Sequence, residues 1–287
     1  ITGIEAFSIH FDRIPFPTSL ILSQQALSKY QLLFRHLFFS KHVERRLVGI
    51  WLDHQMMKKF QSLRRAMGPT YCLRQRMLHF MQNFIYYMMF EVIEPKWLDM
   101  EDSIRKQSSP ETQTVDDIIY VHNKFLDAAL TECLLTNREL VRTLTKLMRT
   151  CLLFSDQLKR FMEMTKIADE NQEVAKEKRS TVQRNLNDPS NTRQAPSKKA
   201  IREAMLSRNE ERSLRVQKQA ARVERELSNE SYRRMIARFD EVFSENLADF
   251  MKLLLSASNG ELHSQKAHLC IRLDYNGFVT KQMGLHR

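Results

Sequence analysis

Glycine and proline are scarce, at 6 and 7 residues among 287. Both weaken helix interiors, so their rarity favours long helices joined by short turns. The same scarcity leaves neither GxGxxG nor GxxxxGK[ST], which argues against nucleotide binding by this chain. The nine histidines form no HExxH, and His263 and His268 stand five apart, off the helical spacing of paired metal ligands. No GxSxG or comparable nucleophile motif is present. Cys72, Cys133, Cys151 and Cys270 are widely spaced with no CxxC pair, which fits a reducing compartment better than a disulfide framework. No apolar run reaches 18 residues and no signal peptide is visible, so no membrane span is expected. The opening Ile1-Thr2-Gly3, without a starting Met, points to a piece of a longer protein.

What the chain has is positive charge and large adaptable side chains. The net charge is +11, which suits an acidic partner of some kind: nucleic acid, an anionic membrane or an acidic protein. Seventeen Phe and 15 Met are enough for a substantial core.

Residues 1–22 read as a short extended arm. Phe7, Ile9 and Phe11 alternate with polar neighbours, and Pro15 and Pro17 turn the chain. From Ser23, a plausible N-cap, the period becomes helical. Leu27, Tyr30, Phe34, Leu37 and Phe38 mark one face, and Val43, Leu47, Ile50 and Trp51 continue it. Gly68-Pro69 reads as a stop. The stretch Tyr71 to Ile93 is apolar on two adjoining faces, Leu73, Met77, Phe80, Phe84, Met88 and Met81, Ile85, Met89, Val92, as expected for a central helix that Pro95 ends or bends. Residues 105–114 read as a loop. Thr114 to Asp117 looks like a helix start, and Thr136 to Glu139 like a capping box. The helices on either side of that box should lie antiparallel.

Between 165 and 231 charged and amide residues dominate, with a break over 188–196 and a charged, helix-prone stretch over 198–227. Helical period returns at Tyr232 with Met235, Phe239, Val242, Phe243, Phe250 and Leu254. Asn259-Gly260 should end that helix, and a shorter helix should reach about Cys270. The expected fold is all-α: a helical bundle of long antiparallel helices with a short extended N-terminal arm. Its expected domain is built from 1–164 and 232–287, joined by a partly helical or disordered linker, 165–231.

Several stretches occur together in a telling order. The central one is Leu73-Arg-Gln-Arg-Met-Leu-His-Phe80 followed by Tyr86-Tyr-Met-Met-Phe-Glu-Val-Ile-Glu94, and around it stand Tyr30-Gln-Leu-Leu-Phe-Arg-His-Leu-Phe38, Lys41-His-Val-Glu-Arg45, Met89-Phe-Glu-Val-Ile-Glu-Pro95, Phe125-Leu126-Asp127 after His122, Cys133-Leu-Leu-Thr-Asn137 and Arg272-Leu-Asp-Tyr-Asn-Gly-Phe278. On these, residues 1–164 and 232–278 resemble the γ-tubulin complex component family, whereas 165–231 carries no motif of the resemblance. The resemblance implies the C-terminal, γ-tubulin-binding domain of a scaffold that supports microtubule nucleation at cytoplasmic organising centres such as the centrosome or spindle pole. The implied partners are γ-tubulin and other components of the complex. No cofactor, metal, small-molecule substrate or catalytic residue is implied.

Two groups are candidates for the partner surface. Arg76, His79, Asn83, Tyr87, Glu91 and Glu94 recur at steps of three and four along one side of the central helix, and Arg and Tyr are common interface anchors. Lys41, Arg45 and Arg46 form a basic cluster suited to acidic protein surface. The competing reading, a basic nucleic-acid-binding helical protein, rests on charge alone. Against it, the aromatics fall on core faces and not among the basic residues. An enzyme is a third reading that no residue supports.

Overall fold

The computed structural model describes residues 7, 9–11, 13–57, 67–106, 114–186, 214, 218, 221, 225, 230–257 and 265–282, without the side chains of 52–57, 164–186, 278 and 282. Among the described residues the regular structure is all helical. The helices are α1 (Thr18–Ile21), α2 (Gln24–Met57), α3 (Gly68–Tyr86), a π-helical segment (Tyr87–Ile93), α4 (Glu94–Lys106), α5 (Val115–Glu132), α6 (Arg138–Leu186), α7 (Glu230–Ala257), α8 (Gln265–Leu273) and α9 (Phe278–Gln282). No helix among the described residues is long and apolar enough to cross a membrane.

Local chemistry sets several helix starts. Ser23 Oγ accepts from the Ala26 N–H at 3.3 Å and opens α2. Thr114 and Asp117 form a reciprocal capping box on α5. Two expectations are corrected. Gly68-Pro69 begins α3 and does not stop a helix, because proline's missing N–H is tolerated in a first turn. Asn137, not Thr136, caps α6: its Oδ1 accepts from the N–H groups of Glu139 and Leu140 at 3.1 and 3.3 Å. Helix α5 closes on Leu134, whose φ is +65°, with the Leu135 N–H bonding back to the Leu130 carbonyl. That left-handed conformation costs a non-glycine residue about 1–2 kcal/mol, offset here by burial of the leucine side chain.

The chain forms two compact units. The first comprises Ile1–Gly49, Leu73–Leu153 and Phe239–Arg287. Its centre is α3. Leu73, Met77, Phe80, Met81, Phe84 and Ile85 are buried along it, as the double apolar face predicts. Phe80 meets Phe243 and Phe250 edge-on, and Phe84 meets Phe250. Such pairs add about 0.5–1.5 kcal/mol each to plain burial.

The order of contacts gives the helix directions. Arg74 donates to the Leu47 carbonyl while Phe84 packs on His36, so α2 and α3 are antiparallel. Arg76 pairs with Asp240 while Phe84 meets Phe250, so α7 runs parallel to α3. Outside any helix, the arm lays Phe7 on Phe34 and Phe38, and its Ile9 carbonyl accepts from Gln31 Nε2.

The second unit comprises Ile50–Cys72 and Phe154–Arg238. Ile50, Met67, Phe154, Leu158, Met162, Tyr232 and Ile236 are buried in it. Thr70 and Tyr232 share a hydrogen bond of 2.8 Å, and Phe161 lies against the Tyr232 ring.

Helix α6 continues to Leu186, past the expected linker boundary at 164/165. Helix α7 starts at Glu230, and α8 reaches Leu273 and not only Cys270. Of the charged stretch 198–227, Leu214, Lys218, Ala221 and Arg225 are helical. The expected breaks at 188–196 and 259–260 lie outside the described residues, as do 107–113 of the expected loop.

Candidate functional site

Within the central motif, at Tyr86, the helix changes type. After Tyr86 the backbone widens to a π-helix, and the N–H of Glu94 bonds the carbonyl of Met89, five residues back. Such turns are rare and cluster at functional sites. Pro95 has no N–H to give the Glu91 carbonyl four residues before it. Gln265 on α8 supplies the donor instead, with Nε2 at 2.9 Å.

A wider turn rotates every later side chain away from its α-helical direction. The six-residue row read from the sequence splits according to which helix each side chain meets. Arg76 is half-buried; its guanidinium pairs with Asp240, donates to Ser244 Oγ at 2.9 Å and lies over the Phe243 ring. It ties α3 to α7. His79 is exposed, and the half-buried Asn83 donates to the His79 carbonyl at 2.8 Å. Glu91 is an internal partner as well: Arg272 of α8 forms an ion pair with it. Glu94 is exposed in the first turn of α4.

Tyr87 is the clear correction. It is 0% exposed, so it presents no surface. Its hydroxyl donates to the Glu132 carbonyl at 2.9 Å, satisfying an orphan acceptor at the C-terminal end of α5. Burial, then the nearby Glu132, raises its pKa well above the usual tyrosine range.

The neighbouring tyrosine takes the outer position. Tyr86, Met89 and Phe90 are 47%, 38% and 52% exposed. The Tyr86 and Phe90 rings lie 5.1 Å apart, and Arg272 stands over Tyr86 at 4.5 Å. The outer row of the central helix is thus Gln75, His79, Gln82 and Tyr86, passing into Met89 and Phe90. Sequence reasoning missed Tyr86, Phe90 and Arg272. Tyr86 was legible as the i+3 neighbour of Asn83; Arg272 opens one of the family-like stretches, but nothing local places it against Tyr86.

In the second group, Lys41 pairs with Glu44 at 3.0 Å, Arg45 is exposed and Arg46 is half-buried. Arg46 and Arg45, after burial, help lower the pKa of His42.

Nothing at these positions suggests bond-making. Burial pushes the thiols of Cys133 and Cys270 up to about 12 and raises that of Cys151, so they remain protonated and poorly nucleophilic near neutral pH. Among the described residues no three His, Cys, Asp or Glu side chains gather as a metal site would require.

The family model described as "Gamma tubulin complex component C-terminal" matches residues 1–278, and the chain belongs to this family. The match runs through 165–231, where no motif was legible. The chain is 33% identical over 285 residues to gamma-tubulin complex component 2 of Mus musculus, covering 99% of this chain and 29% of the mouse protein. It is 31% identical over 289 residues to the gamma-tubulin complex component 2 homolog of Drosophila melanogaster, with 99% of this chain and 29% of the fly protein covered. Spindle pole body component alp4 of Schizosaccharomyces pombe is 34% identical over 179 residues, covering 60% of this chain and 22% of alp4. The chain thus spans less than a third of the length of these relatives.

Proposed function

We propose that this chain is a γ-tubulin-binding scaffold domain that acts without catalysis, holding γ-tubulin within a γ-tubulin complex and so supporting microtubule nucleation. Its setting would be the cytoplasmic cytoskeleton, at a centrosome or spindle pole. Other components of the complex would be its further partners. Family membership and the relatives' names support this reading. The observation that carries it to residues is the exposed Tyr86–Met89–Phe90 cluster where α3 passes into the π-helical segment, inside the central motif.

Aromatic and methionine side chains are enriched in protein interfaces, and aromatic anchors surrounded by polar groups often dominate binding. Tyr86 and Phe90 are the proposed anchors. His79, Asn83 and Glu94 form the polar rim, and Lys41, Arg45 and Arg46 offer a second, electrostatic contact. Arg76 and Glu91 act as positioning residues, because their charges are engaged within the fold.

A contact stable enough for a lasting assembly would bury roughly 1,600 Å² or more. Co-purification of the chain with γ-tubulin tests the reading. A Tyr86→Ala/Phe90→Ala variant should lose about 2 kcal/mol or more of binding, near thirtyfold, while remaining folded. Unchanged binding by that variant would move the surface elsewhere. A folded chain that ignores γ-tubulin at micromolar concentrations would end the proposal.

A further inference from the structure

On α2 to α4, α7 and α8, several basic side chains are paired with carboxylates. Lys29 meets Asp127, Lys41 meets Glu44, Arg105 meets Glu101, and Lys266 meets Glu132. The outer face of α6 differs. Arg138, Arg142, Lys146 and Arg149 are exposed, and among the described residues none is held by a carboxylate. At 100° per residue these positions, with Leu153, fall within about 80° of one another on the helix surface. They therefore form a single stripe. Leu153 ends it, 58% exposed.

Beside Arg138 and Arg142 lies an open hollow of about 640 Å³, also lined by Leu135, Thr136, Glu139 and Val141. The helix N-terminus is not what the stripe offers, because Asn137 already accepts from the Glu139 and Leu140 N–H groups. It offers side-chain charge with apolar groups at both ends.

We propose that this face of α6 docks an acidic protein segment in extended conformation. Spacing supports that occupant. Arg138, Arg142 and Lys146 rise about 6 Å per step, and Arg138 to Leu153 spans about 22 Å. Side chains on one side of an extended strand recur about every 6.6 Å, so carboxylates at alternate positions come into register with the cations. Arginine can hold each carboxylate bidentately. The apolar ends fit a protein and not a phosphate backbone: Leu153, Leu135 and Val141 give an anionic polymer nothing to bind, and no aromatic interleaves the cations to stack a base. This surface is separate from the Tyr86–Phe90 cluster, and the inference does not rest on the γ-tubulin reading.

The test is fluorescence anisotropy on the full chain at 150 mM salt. The probe is a labelled nine-residue peptide with glutamate at alternate positions and a terminal leucine. Arg142→Glu/Lys146→Glu should weaken its binding at least tenfold, with the circular-dichroism melt unchanged because both side chains are exposed. Tyr86→Ala/Phe90→Ala should leave peptide binding unchanged, which separates this surface from the one proposed for γ-tubulin. Equal binding by the charge-reversed and native chains overturns the proposal. So does binding of a nine-nucleotide single strand, or of vesicles rich in phosphatidylserine, as strong as binding of the peptide.

Discussion

Arg76 on α3 and Arg142 on α6 carry the same guanidinium, and the fold uses them in opposite ways. Arg76 faces α7, where Asp240, Ser244 and the Phe243 ring occupy it. Arg142 faces outward beside Arg138 and Lys146 with no acidic partner among the described residues. Tyr86 and Tyr87 repeat the lesson one residue apart. One lies outside under Arg272, and the other is fully buried against the end of α5. Residue type makes a side chain able to bind; the neighbouring helix decides whether its bond is internal.

The comparison can be broken by experiment, and its inner half should respond most. Phe80→Ala empties the junction of Phe84, Phe243 and Phe250 and should cost about 3–5 kcal/mol in denaturant unfolding. A loss under 1 kcal/mol would mean that α3 and α7 are not packed as described.

Next comes pH. Burial lowers His36 to about 4, and its Nε2 has no hydrogen-bond partner among the described residues. The native chain therefore keeps His36 neutral while the unfolded chain protonates it near 6.5. Its contribution is complete above pH 6.5, falls as pH drops towards 4, and levels off below. The total should be on the order of 3 kcal/mol. Comparing the pH dependence of unfolding in the native chain and His36→Leu isolates it. Parallel curves between pH 6.5 and 4 would remove His36 as the cause.

The tyrosine pair gives a sharper contrast. Tyr87→Phe leaves the Glu132 carbonyl without its donor and should cost about 1–3 kcal/mol. Tyr86→Phe should change stability by less than about 0.5 kcal/mol. Equal effects in thermal melts would erase the distinction between buried and outer tyrosine.

The arginines give the smallest difference. Arg76 and Asp240 are both partly exposed, so Arg76→Ala should cost only about 1 kcal/mol, with coupling visible in a double-mutant cycle with Asp240→Asn. Arg142→Ala should stay within about 0.5 kcal/mol. A larger loss at Arg142 would reveal an internal role and weaken its assignment to docking.

Much of the fold was legible because it is written locally. The apolar rows of α3, the Ser23 cap and the Thr114–Asp117 box depend on residues within a turn or two of each other. The outer row was only half legible. His79, Asn83 and Glu94 lie on or near the surface as periodicity implies, but Tyr87 and Glu91 are engaged within the fold by α5 and α8.

By itself, then, the sequence determined that this protein would be helical, which faces of its helices would be apolar, and which family it resembles. Helix periodicity and capping act over three to five residues, so a linear reading contains them. Tertiary structure alone decided that α7 runs parallel to α3, that Arg272 and Gln265 serve the π-helical turn, and which cations find a carboxylate among the described residues. Those outcomes join residues more than 160 positions apart, and no local pattern encodes which distant carboxylate, carbonyl or ring will arrive.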